Sequence, residues 1–160
     1  EWQEITDDQE WRIPAAKMKR NRDHVVPLSH QALALIHSMQ SINGNRQYVF
    51  ASPTHPRQSI SENALLQRMR RLGITQDMGT PHGFRASART LLDEVLAFKK
   101  DWIEHQLAHK VREPDGRAYN RTQFLRERRD MMQTWSDYTL QYVLPTPDRA
   151  SNVQLLKEIS

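Results

Sequence analysis

A mainly helical α+β domain, with a small antiparallel sheet at its start and a helical bundle after it, is the fold class that three features of the sequence predict. The β-favouring side chains Trp11, Ile13, Val25 and Val26 gather within residues 1–27, where prolines 14 and 27 suit strand ends or edges. From Leu28 to about residue 141 the apolar residues recur at three- and four-residue spacing behind side chains that cap helices. Pro145 and Pro147 then break the pattern, leaving a short apolar tail of Val153, Leu155, Leu156 and Ile159. A chain of 160 residues, 38% of them hydrophobic, is large enough for one domain with a real core. Its expected parts are a sheet or hairpin over 1–27, a helical body over 28–141 and a tail over 142–160.

Charge narrows the partners. Charged residues make up 26% of the chain and interrupt every apolar stretch, so a membrane span is not expected and the protein reads as soluble. Lys and Arg exceed Asp and Glu, 23 against 19, and the isoelectric point near 9.6 favours an anionic partner, nucleic acid first. With no Cys, disulfides and thiolate metal sites are excluded, and no signal peptide is visible, so a cytoplasmic or nucleoid setting is expected. A chain that opens at Glu1 without Met reads as a fragment of a longer protein.

The elements follow in order. The first strands form a hairpin whose connection, Lys17 to His24, holds four Lys or Arg against one Asp; it serves as a solvated edge or as a phosphate contact. Ser29 caps the first helix, with Leu28 stapled onto Leu33 and Ala32, Leu35, Ile36 and Met39 continuing the apolar side to about Asn43-Gly44. Tyr48-Val49-Phe50 reads as a short buried segment, and Ser52 to Pro56 as a loop. Ser61 is expected to cap a second helix, Ile60 to staple on Leu65, Leu66, Met69 and Leu72 to face inward, and Arg68, Arg70 and Arg71 to face out. Asp101 and Glu104 resemble a capping box for a helix that ends near His109. Glu113-Pro114-Asp115-Gly116 is a turn signal, and residues 121 to about 141 form a long amphipathic helix with Phe124, Leu125, Met131, Met132, Trp135 and Tyr138 inside.

The stretch Thr80-Pro81-His82-Gly83-Phe84-Arg85 carries the chemistry. Thr80 is a good N-cap, and Pro81 suits the first helical position because its missing N–H would have had no partner there. His82 and Arg85, three apart, then share one face, while Phe84, Ala88, Leu91 and Val95 recur at helical spacing on another. An imidazole that can move a proton near neutral pH beside a planar, permanently charged fork is suited to a phosphate. The pair alone is not specific, since His109 and Arg112 repeat its spacing. His105 and His109 also stand at a spacing that binds zinc in some enzymes, but no Glu follows His105 and no third ligand is evident, so no metal is expected.

Taken as a set, the order is a basic hairpin, His82-x-x-Arg85 at a helix start, Leu107-Ala108-His109 at a helix end, and Tyr119 ten residues later near Arg121. That order resembles the catalytic domain of tyrosine recombinases, most closely the integrases of prophages and genomic islands. The segment from Arg126 to Trp135 is similar to that subgroup too, so the likeness covers nearly the whole chain. The resemblance implies a C-terminal catalytic domain that cuts and rejoins DNA strands through a 3′-phosphotyrosine, integrating or excising a mobile element without a cofactor. It gives Lys19 the role of general acid, His82 that of base or hydrogen-bonding partner, Arg85 and His109 that of phosphate ligands, and Tyr119 that of nucleophile. It also implies double-stranded DNA as partner and a homo-oligomer on DNA, a tetramer in the full-length protein, with terminal segments exchanged between subunits.

These roles make physical sense. A tyrosine ionises only near pH ~10, so it needs a base and a cationic pocket to attack at neutral pH. A 5′ alkoxide needs a proton to leave, which a Lys on a hairpin can supply, and an Arg fork neutralises charge building on the phosphoryl oxygens. The family's first catalytic Arg is expected upstream of Glu1, so this length of chain alone should be inactive. Two other classes share the residues: a DNA-binding module that kept the fold without the chemistry, and an interaction domain whose basic face only solubilises. Covalent trapping separates the first from an enzyme, and salt-dependent DNA binding separates the second.

Overall fold

In the computed structural model, which describes residues 1–19, 21–109 and 124–143, the chain opens with three antiparallel strands in sequence order. These are β1 (Ile5–Thr6), β2 (Glu10–Ile13) and β3 (His24–Pro27). Trp11 stands opposite Val26 and Ile13 opposite His24, and the ladder stops at Pro27, which ends the edge strand. The expected hairpin is therefore β2–β3, and β1 adds a third strand through Ile5 opposite Trp11. In the β2–β3 connection Lys17 is tied down, its Nζ 2.5 Å from both Glu1 Oε1 and Glu4 Oε1.

The first helix follows its cap signal. Ser29 Oγ accepts from the Ala32 amide at 3.2 Å and opens α1 (His30–Ser38), which runs on through α2 (Gln40–Asn43). The second helical segment departs from expectation. Ser61 does not cap it: the Ala64 amide donates to the Ser61 carbonyl at 2.9 Å, a separate turn, and α3 (Ala64–Arg71) starts only after it. Met69 is buried as expected, but Leu72 is 62% exposed and Ile60 and Leu65 are exposed as well. Arg70, expected outside, instead turns inward and donates to the carbonyls of Ile74 and, at 3.2 Å, Gly79. Within Tyr48-Val49-Phe50 only Val49 is fully buried, and Phe50 is exposed.

The core lies between the last three helices. Leu92, Ile103 and Met131 form its buried centre, with Leu96, Phe98, Trp102, Leu107, Met132 and Trp135 packed on it. They come from α5 (Lys100–Gln106), from α6 (Leu125–Val143), from the turn Leu91–Val95 that follows α4 (Pro81–Thr90), and from the residues that flank that turn and α5. In that turn the Leu96 amide bonds to the Leu91 carbonyl five residues back, at 2.9 Å, a wider coil that shifts the helical register by one residue. The packing face differs from the expected one: Leu92 is 3% exposed, while Phe84 at 58% and Val95 at 54% face outward.

Helix α6 ties this core to the sheet through two arginines. Arg128 is fully buried; its Nη2 donates to the Val25 carbonyl at 2.7 Å and its Nε to Gln106 Oε1 at 2.9 Å. Burial pushes its guanidinium down to about 10 against the opposing pull of Glu10, so it stays charged at neutral pH. Arg129 donates to the Asp8 carbonyl at 2.7 Å and to Glu10 Oε1 at 2.9 Å. No helix among the described residues is long and apolar enough to cross a membrane. The turn expected at residues 113–116 and the tail over 144–160 lie outside the described residues.

Candidate active site

Helix α4 starts where its sequence says. Thr80 Oγ1 accepts from the Gly83 amide at 2.9 Å, and Pro81 occupies the first turn. The absence of a side chain at Gly83 keeps this cap open, since a Cβ there would stand 3.2 Å from Thr80 Oγ1. Further along, Arg85, Arg89, Leu92 and Leu96 fall four, three and four residues apart, one stripe of the helix and the turn after it. Its lower half enters the core with Ile103 and its upper half reaches over α5. The face that packs and the face that carries chemistry are thus one face, where the spacing suggested two.

Helix α5 ends in a Schellman motif. The His109 amide bonds to the Glu104 carbonyl at 2.9 Å and the Ala108 amide to the His105 carbonyl at 3.1 Å, with Ala108 in the left-handed region at φ 54°. The helix α3 closes in the same manner, but there the left-handed residue is Gly73, at φ 80°. The motif folds the chain back so that His109 lies against its own last turn. Arg85 meets it there: Nη2 donates to the Leu107 carbonyl, one of the acceptors a helix end leaves open, and stands 3.1 Å from His109 Nε2.

The other imidazole nitrogen is held by a carboxylate. His109 Nδ1 is 2.5 Å from Glu104 Oε2, and Arg89 Nε donates to Glu104 Oε1 at 2.7 Å. Burial alone would raise the Glu104 carboxyl, but the hydrogen bonds from His109 and Arg89 outweigh it and hold it below the usual carboxylate range. Glu104 therefore does not form the capping box expected with Asp101. The helix α5 begins at Lys100 with Lys99, whose ammonium cannot accept a hydrogen bond, as its N-cap, and Glu104 is drawn across to α4.

The structure joins two of the five residues singled out from the sequence, places a third on the same helix as one of them and leaves a fourth on the β2–β3 connection. Arg85 and His109 touch, and His82 is exposed one turn before Arg85 at the start of α4. Lys19 is exposed on the β2–β3 connection. Tyr119 and its neighbour Arg121 lie outside the described residues. The strand after Lys19 does approach the site: His24 feels Arg85, His105 and Arg128, and its ring bonds to the Gln106 backbone. Glu104, Arg89 and His24 were not singled out from the sequence, since each works through a partner distant in the chain. The i, i+4 relation of Arg89 to Arg85 was the one available signal. His105 stacks edge-on against Phe124, ring centres 5.3 Å apart, and among the described residues no group of three His, Cys, Asp or Glu side chains is placed to hold a metal ion.

A guanidinium fork, an imidazole braced by a carboxylate and a second imidazole at a helix N-terminus form a cationic, exposed set able to bind an anion and to move protons. Comparison with known proteins points the same way. The phage integrase family model matches residues 1–126. The chain is 42% identical over 137 residues to the prophage integrase IntA of Escherichia coli K12, covering 85% of this chain and 33% of that protein. It is 36% identical over 152 residues to the integrase of Enterobacteria phage P4, covering 86% and 35% of the two. With the prophage integrase IntZ of Escherichia coli K12 the identity is 38% over 125 residues, 78% and 30% of the two. The chain thus spans about a third of the length of these relatives. No solved structure matches it.

Proposed function

Because the chain belongs to the phage integrase family, we propose that it is the C-terminal catalytic part of a tyrosine-type site-specific recombinase acting on double-stranded DNA. The observation that carries this reading is the contact of Arg85 with His109 at 3.1 Å, one helical turn from His82 and inside the span the family model matches. The Arg85 fork and His109 grip the non-bridging oxygens of one phosphodiester and offset the charge that builds there. Tyr119 attacks the phosphorus, giving its proton to His82 or to water, and a 3′-phosphotyrosine bond forms as the bond to the 5′ oxygen breaks. Lys19 protonates that departing oxygen. One phosphodiester is exchanged for another, so attack by a different 5′ hydroxyl rejoins the strands with no external energy and no cofactor.

In the full-length protein the same reading makes attachment-site DNA the substrate, integration or excision of a mobile element the outcome, and a homo-oligomer in the bacterial cytoplasm, a tetramer on DNA, the working unit. The test is to incubate full-length protein with a duplex nicked close to the cleavage point, so that a short strand diffuses away and cleavage cannot reverse. A protein–DNA adduct stable to detergent is expected from the native protein and none from Tyr119→Phe. DNA binding without adduct in the native protein would leave a module that kept the fold without its chemistry.

A further inference from the structure

The brace on His109 goes beyond what the chemistry above requires. We propose that Glu104 is a positioning residue that fixes the ring and tautomer of His109, keeping the proton on Nδ1 and presenting Nε2 to the phosphate site; this rests on the strand-cleavage reading. Glu104 grips His109 at two points: its carbonyl accepts the His109 amide at 2.9 Å, and Oε2 stands 2.5 Å from Nδ1. An ionised carboxylate only accepts, so the Nδ1 between them carries the proton. Nε2 is then the lone-pair nitrogen that receives Arg85 Nη2 at 3.1 Å.

Arg89 fixes the brace in turn. Its Nε holds Oε1 of the same carboxylate at 2.7 Å, and it stands one helical turn beyond Arg85 on α4. One helix face thus supplies the guanidinium that meets the phosphate and the guanidinium that orients the partner of the imidazole. A phosphate oxygen arriving at Arg85 displaces the Arg85–Nε2 bond. Nε2 of His109 then takes up a proton from solvent and uses it to donate a hydrogen bond to that oxygen, while the Glu104 carboxylate balances the charge of the ring. Without Glu104 the ring is free to turn or to adopt the opposite tautomer, whose proton points at Arg85. Outer partners of functional histidines carry effects of about tenfold to a hundredfold, and a similar loss of adduct formation is expected here.

The test has two parts. In the chain labelled with ¹⁵N-histidine, two-bond proton–nitrogen spectra, with His109 assigned by its loss in His109→Gln, should show the Nδ1–H form. Glu104→Ala should convert that signal to the Nε2–H form or to an average, and Glu104→Gln, which keeps an acceptor oxygen, should retain it. In the full-length protein Glu104→Ala should lose adduct about tenfold or more at unchanged DNA affinity, with Glu104→Gln recovering most of it. An Nε2–H form in the native chain, a spectrum indifferent to Glu104→Ala, or full adduct from Glu104→Ala would overturn the proposal. If no form of the protein makes adduct, the strand-cleavage reading fails, and the spectra still decide whether Glu104 sets the tautomer.

Discussion

Arg85 does two jobs with one nitrogen, bonding the Leu107 carbonyl and meeting His109 Nε2 at 3.1 Å. A lysine could keep the charge but could not span a helix end, an imidazole and a phosphate with a rigid fork. In the full-length protein Arg85→Lys should therefore cut adduct formation by about a hundredfold or more, the scale of losing one aimed donor, while DNA affinity changes little. Equal losses in cleavage and binding would show that Arg85 only attracts DNA. His24 gives a pH prediction. Burial holds its imidazole below the ordinary value, Arg128 adds to this, and the backbone bond to Gln106 opposes it, with His105 and Arg85 contributing further depression. The unfolded chain binds that proton near pH ~6.5 and the native chain only lower, so stability is full above ~6.5 and falls as pH drops through this window. The urea midpoint should fall less between pH 7.5 and 5.5 in His24→Gln than in the native chain; equal falls would contradict the assignment. At this scale the placing of His82 and Arg85 one turn apart on a helix capped by Thr80, and of His109 just past a helix end, was legible from local signals. Glu104 was not, because its capping-box spacing with Asp101 was a local signal that a tertiary partner overrode.

Helix ends divide the same way. Ser29 and Thr80 make the caps their positions suggest, since a hydroxyl followed by a helix former meets its amide within the same turn. Ser61 looked equally suitable and failed because a separate turn intervenes before Ala64. The expected packing face of α4 was wrong because the stripe that turns toward α5 runs through Arg85, Arg89 and Leu92, and the two arginines on it hide it from a reading of apolar spacing. The Schellman ends of α3 and α5 differ only in the residue held left-handed, Gly73 against Ala108. A Cβ there costs energy that glycine avoids, partly offset by the greater freedom glycine has when unfolded. Ala108→Gly should therefore stabilise the chain by about 0.5–1 kcal/mol in chemical denaturation. A destabilisation would mean that the turn before His109 is held by something other than its backbone geometry.

For the molecule as a whole, composition and patterning made the α+β class legible, and the β2–β3 hairpin was placed by its prolines and β-branched residues. How the last helix docks was not legible: the amphipathic pattern names only its apolar residues, yet Arg128 is fully buried between the sheet and the end of α5. Arg128→Met should leave the Val25 carbonyl and Gln106 Oε1 without that donor and cost about 2–3 kcal/mol, read as a lower denaturation midpoint. A change under about 0.5 kcal/mol, the range of ordinary surface substitutions, would contradict its role as the tie between sheet and core. That tie holds His109 on one side and the strand following Lys19 on the other, and residues 110–123, which carry Tyr119, connect α5 to α6. The most direct measurement is to digest the trapped protein–DNA adduct with trypsin and identify the DNA-linked peptide by mass spectrometry. Cleavage after Arg117 and Arg121 should leave the nucleotide on Ala118-Tyr119-Asn120-Arg121, joined through Tyr119 to a 3′ phosphate. A link at Tyr138, Tyr142 or any other side chain, or a nick with no protein attached, would contradict the account.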